Sequence, residues 1–180
     1  MTRGCFTKMQ EETEMATQGS REDILKQLDE KAREYLRISG NCAQSSFSAL
    51  SDQFGLGDSL FRKALSPFPG IALRGETCGV VTGSVLALGL VYGQEKLGPQ
   101  EWVKSLRPCR AFCRAFAAEF GGTACDDVTR GLCGRTFNLA DPAEAAEWRE
   151  TGVSAKCSDV VARGCRIAAE IMLDEKYKPA

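Results

Sequence analysis

The sequence predicts an all-α protein: a single-domain, irregular bundle of about five main helices with short extra ones. Three observations carry that reading. Apolar residues recur at three- and four-residue steps over most of the chain. No convincing pair of strands appears, and the one long uncharged stretch, residues 77–93, exceeds usual strand length. Ser, Asn, Gly and Pro punctuate the periodic segments where helix ends would need them.

Residues 1–20, MTRGCFTKMQEETEMATQGS, are polar and aperiodic and read as a mobile tail, with Cys5 incidental. Residues 21–180 read as the helical domain. Ser20 opens the first helix with Asp23 as its reciprocal partner, and Ile24, Leu25, Leu28, Ala32, Tyr35 and Leu36 carry it over about 21–38. Ser39-Gly40 stops it. Asn41 caps a second helix over 42–54, ended by Gly55 and Gly57. Asp58 is the expected cap of a short helix to about Leu65. Ser66-Pro67-Phe68-Pro69-Gly70 breaks the pattern, and a loop is expected through Gly75.

The stretch 77–92 is read as a buried helix on its length, although Val80, Val81, Val85 and Val91 also suit a strand. Gly79, Gly83 and Ala87 give it a bare stripe for a second backbone or a cofactor. Pro99 suits the first turn of a helix over 100–120, which Pro108 either kinks or restarts. Thr123 is the expected cap of a short helix over 125–132. Asp141-Pro142 opens another, AEAAEWRE. Ser154 is the expected cap of the last helix, 156–174.

Composition then removes chemistry. The chain has 180 residues, a net charge of −1, nine Cys and no His. Near-neutral charge gives no general pull on nucleic acid or anionic membrane. Without His there is no Ser-His-Asp or Cys-His catalysis, no imidazole zinc site and no C-x-x-C-H haem attachment, so no haem is expected. Nine cysteines cannot all pair within one chain. Residues 1–20 lack the apolar core of a signal peptide, and 80–93 is too short and Gly-rich for a membrane span. A cytoplasmic location is expected, where disulfides are rare and many cysteines read as metal ligands or redox thiols.

Four cysteines share one context. Cys42, Cys78, Cys125 and Cys157 each fall in the first turn of an expected helix. Free N–H groups and the positive dipole end there favour thiolate, the form that binds metal and attacks disulfides. Their spacings fit neither a C-x-x-C zinc knuckle nor a ferredoxin run, so any shared site must be assembled by the tertiary fold. Cys109 and Cys113 lie four apart on one helical face; they read as small buried residues, with a shared thiol function as the alternative. Cys133 follows in a Gly-flanked loop and ranks as a fifth thiol. Cys165 shares a face with Cys157 but lies two turns away and reads as core.

These residues resemble the C-GCAxxG-C-C family of redox-active proteins, which has four defining cysteines. NCAQSSFSAL carries Cys42. GETCGVVTGSVLALGLVYG carries Cys78, with Gly79 and Gly83 matching the family's C-G-A-x-x-G and Val80 standing where the motif has Ala. FGGTACDDVTRG carries Cys125 and KCSDVVARGCRIAAEI carries Cys157. The similarity covers roughly residues 38–173. The family is also similar to the cluster-bearing part of split-Soret cytochromes, which implies an iron–sulfur cluster, 2Fe-2S or 4Fe-4S, on Cys42, Cys78, Cys125 and Cys157, with Gly79 and Gly83 allowing close backbone approach.

The favoured function is an iron–sulfur electron carrier, or electron-accepting module, working with a redox partner protein. A homodimer is left open. Two alternatives stand beside it. One is a metal-free thiol–disulfide oxidoreductase, which lacks a C-x-x-C motif. The other is a structural metal site, whose four cysteines would usually come in close pairs.

Overall fold

The protein is described here by a computed structural model that covers residues 20–57, 59–100 and 102–178. The expected tail with Cys5 and the expected cap Asp58 lie outside the described residues.

The fold is all-α. The helices are α1 (Arg21–Ser39), α2 (Cys42–Phe54), α3 (Ser59–Ala64), α4 (Gly70–Leu73), α5 (Gly79–Tyr92), α6 (Val103–Phe120), α7 (Cys125–Cys133), α8 (Pro142–Glu150) and α9 (Val153–Met172), with a 3₁₀ turn at Glu175–Tyr177. The uncharged stretch is helix, because its long apolar run is buried by neighbours rather than paired as a strand. Among the described residues no helix is long and apolar enough to cross a membrane.

The main elements form where local chemistry directs. Ser20 and Asp23 make the full reciprocal cap of α1, and Gly40 closes that helix at φ +62°. Asn41 accepts from the N–H groups of Ala43 and Gln44 at 3.1 and 3.0 Å. Asp141 caps α8 in the same way, with Pro142 at its first position.

Other expected ends are displaced. α6 starts at Val103 rather than near 100, because Gln100 takes φ +66°, which a helix does not tolerate. It then runs through the buried Pro108 without restarting. Thr123 does not cap α7; Ala124 holds that position without a side-chain bond. α9 starts at Val153, three residues early, because Gly152 at φ +72° turns the chain into it and displaces Ser154 from the capping position. Within the expected loop, α4 is a single turn with φ of +53°, +46°, +55° and +62° at Gly70, Ile71, Ala72 and Leu73. Left-handed backbone at non-Gly residues costs about 1–2 kcal/mol each.

α2, α5 and α9 pack together at the centre, with α1 against α2 and α9 and with α6 against α5 and α9. Phe47, Leu50, Leu88, Phe112, Phe116, Val160 and Val161 are fully or almost fully buried among them. The bare stripe of α5 serves a second backbone. A Cβ at Gly83 would strike the Ala43 carbonyl and Ser46 Oγ, and one at Gly79 would strike Cys42 Sγ and lie 2.9 Å from the Ala43 nitrogen. Glycine therefore sets how closely α5 lies along the start of α2.

Candidate functional site

That close approach brings the first two cysteines together. Cys42 is the first residue of α2, and Cys78 holds the capping position of α5 and is 5% exposed. The two thiols are near enough for Cys42 to be the largest influence on the ionisation of Cys78.

A second contact brings in Cys125. The segments just before α5 and α7 meet in an isolated antiparallel bridge, Thr77 against Ala124. Cys78 N donates to the Thr123 carbonyl at 2.9 Å, Cys125 N to the Glu76 carbonyl at 2.5 Å, and Asp126 N to the Gly75 carbonyl at 3.1 Å. Gly75 adopts φ +76°, and a Cβ there would strike the Asp126 carboxylate. Two cysteines 47 residues apart in sequence thus enter neighbouring helices side by side.

Cys157 reaches the same place from α9. Its thiol lies within electrostatic range of Cys78, Cys125 and Cys133. The earlier start of α9 puts it in the second turn, so three of the four cysteines, not all four, lie at a helix start.

Burial reverses the expected ease of ionisation. Cys78 sits well above the ordinary thiol range, through the nearby Cys42 thiol and then through burial; the Val80 and Val81 N–H groups at the helix start oppose the rise without cancelling it. Burial, with repulsion from Cys78, pushes Cys125 up to about 11. Burial, with the neighbouring thiols, pushes Cys157 up to about 12. A helix terminus stabilises an anion by a kcal/mol or so, and desolvation of a buried thiolate exceeds that.

The eight described cysteines are all free thiols. Cys133, the last residue of α7, points its thiol at the Thr129 and Arg135 carbonyls at 3.0 and 3.3 Å and lies within electrostatic range of Cys157. Cys109 and Cys113 are half-buried neighbours on α6, and burial raises both. Cys165 is fully buried, its thiol 3.6 Å from the Ser46 carbonyl, and belongs to the core as expected. Gly79 lies against the Cys42 sulfur, whereas Gly83 lies one turn further on, against the α2 backbone. Arg74 pairs with Glu76 at 3.1 Å, both well exposed.

Among the described residues, no three His, Cys, Asp or Glu side chains are grouped closely enough to hold one metal ion. Four thiolates on a single zinc, each at about 2.3 Å, need their sulfurs within roughly 4 Å of one another. The observed arrangement is looser. A cluster places its ligands on separate irons and so accepts a wider set of thiols.

Cys42, Cys125 and Cys157 open onto a cavity of about 400 Å³. Its far wall is Phe137, Leu139, Ala145 and Trp148, none of which the sequence singled out. A larger groove, about 800 Å³, lies between the C-terminal part of α5 and α6 and has no cysteine in its lining, so the thiol-lined cavity is the candidate site.

The sequence model of the family described as "Putative redox-active protein (C_GCAxxG_C_C)" matches residues 40–171, more than half of the chain. No curated protein and no solved structure matches it.

Proposed function

The chain belongs to the C_GCAxxG_C_C family, and from that premise we propose that it is an electron carrier whose centre is an iron–sulfur cluster. The observation that carries the reading is that Cys42, Cys125 and Cys157, from three helices, line one largely apolar cavity, with Cys78 buried within electrostatic range of Cys125 and Cys157. Those four would hold the cluster. When bound, it supplies a one-electron couple at a place where the chain offers no imidazole.

The chain's own groups prepare that place. The Val80 and Val81 N–H groups point at the Cys78 sulfur and would offset thiolate charge. Thr129 lies beside Cys125, its hydroxyl 2.7 Å from that residue's carbonyl. Apolar side chains from the loop before α8 and from α8 itself restrict water at the thiols. Ligand binding must displace the thiol protons, so raised thiols make loading depend on pH. A separate redox partner protein would exchange the electron.

The proximity of Cys42 to Cys78, which raises the Cys78 thiol, favours a second reading, a metal-free dithiol that closes to a disulfide while reducing a partner's disulfide. One experiment separates the two. Protein purified without oxygen is analysed for iron, sulfide and zinc, with its absorption spectrum. The cluster reading expects iron and sulfide together, lost in Cys78→Ser and kept in Cys109→Ser. Absence of iron after reconstitution, or equal iron in both variants, transfers the function to the dithiol.

A further inference from the structure

The thiol-lined cavity extends past the thiols, and its far wall is separately built. The loop after α7 is fastened to α8 by two parallel bonds from Arg135 to Glu147, at 2.8 and 2.9 Å. A further bond runs from the Asn138 N–H to Glu144 at 2.8 Å. Arg135 also stacks over the Phe137 ring at 4.2 Å. These contacts aim Phe137, 6% exposed, into the cavity beside Trp148 of α8. Neither ring sits on a helix that carries one of the four cysteines.

The near wall carries strain. Pro69 and Leu73, at either end of the left-handed turn α4, line the cavity. Gly70 packs on Cys125; a Cβ there would lie 3.3 Å from that of Cys125. Strained backbone persists where the surrounding structure holds it, and such places cluster at ligand sites. Arg149, exposed, stands at the cavity edge as a donor for an oxygen atom. A cavity of this size lies within the range of small-molecule sites, about 300–1,000 Å³.

The geometry points to a binding site for a small planar aromatic molecule of the quinone class, seated between the thiols and the Phe137–Trp148 wall with a ring oxygen toward Arg149. This inference concerns binding alone. It rests on the redox reading above for the meaning of the ligand, but its test does not depend on iron.

The chain has two tryptophans, and Trp102 is 54% exposed. In the full-length Trp102→Phe protein, emission therefore comes from Trp148. The probe is 2-heptyl-4-hydroxyquinoline N-oxide, a planar quinone analogue with no electrophilic carbon for thiols. Saturable quenching at one probe per chain is expected. Ala145→Phe, which fills the cavity from α8, should weaken binding by at least about tenfold. Arg135→Gln, at an exposed position, should weaken it too by releasing the Phe137 wall, and it stands in if Ala145→Phe does not fold. Quenching that rises linearly without saturation, or equal affinity in the folded variants, overturns the inference. Iron measured on the same samples keeps the two readings apart. Saturable binding without iron removes the cluster and leaves the cavity site; iron without saturable binding does the reverse.

Discussion

At the scale of single residues, the decisive competition is between a helix start and burial. Cys125 and Cys157 stand at about 11 and about 12, against an ordinary value of 9.0. Below pH 9 the folded and unfolded chains both keep these protons. Between pH 9 and about 12 the unfolded chain loses them while the folded chain holds them, so unfolding releases protons and stability falls as pH rises. The loss amounts to as much as about 1.4 kcal/mol per pH unit for each thiol. Denaturation of chelator-treated protein at pH 8, 9.5 and 11 should show this slope, and Cys125→Ala/Cys157→Ala should make it shallower, the raised Cys78, Cys109, Cys113 and Cys165 thiols supplying the remainder; an equal slope in that variant would mean that other groups set the pH dependence.

Gly79 and Gly83 decide the other residue-scale question, which is how near α5 comes to α2. Ala at Gly83 gains helix propensity but drives a Cβ into the Ala43 carbonyl and Ser46. Overpacking of this kind costs about 1–3 kcal/mol. The backbone of α2 cannot rotate aside as a side chain could, so a net loss of stability in urea denaturation is expected. Gly89, which has open space around its would-be Cβ, is the control, and Gly89→Ala should not destabilise.

At the scale of elements, legibility followed whether a helix end is decided locally. α1 and α2 were readable because Ser20, Asp23 and Asn41 cap by bonds to residues two or three away. Ser20→Ala should cost about 1 kcal/mol, read as a drop in thermal midpoint. The starts of α6 and α9 were misplaced because Gln100 and Gly152 take backbone angles that Pro99 and Ser154 do not announce. The valines of α5 suit a strand as well as a helix; the choice is made by packing against α2, α6 and α9, which no local pattern records. The bridge at Thr77 and Ala124 was invisible for a similar reason. Thr77 suits a strand but Ala124 does not, and the single bridge forms because two helix entries meet.

At the scale of the whole molecule, the candidate site belongs to no single element. Three of the cysteines stand at helix starts and Cys157 is marked by the family motif alone, but their meeting depends on α2, α5, α7 and α9 all being in place. Phe137 and Trp148 were not legible, because one loop aromatic and one helix Trp gain meaning only through the Arg135–Glu147 fastening. Such a site links loading to folding. A group held by thiols from four helices binds the folded chain and not the unfolded one, so it stabilises by about 4 kcal/mol when present at a thousandfold above its dissociation constant. For a chain of this length that corresponds to about 8–16 °C in melting temperature. Protein reconstituted anaerobically with iron and sulfide should melt higher than chelator-treated protein by an amount of that order. Cys78→Ser should lose most of the difference, since it removes the thiol that lies within electrostatic range of Cys42, Cys125 and Cys157. Cys109→Ser should keep it, because α6 presents that thiol elsewhere. If wild type melts at the same temperature with and without reconstitution, no group ties the four helices together, and their convergence serves the thiols themselves.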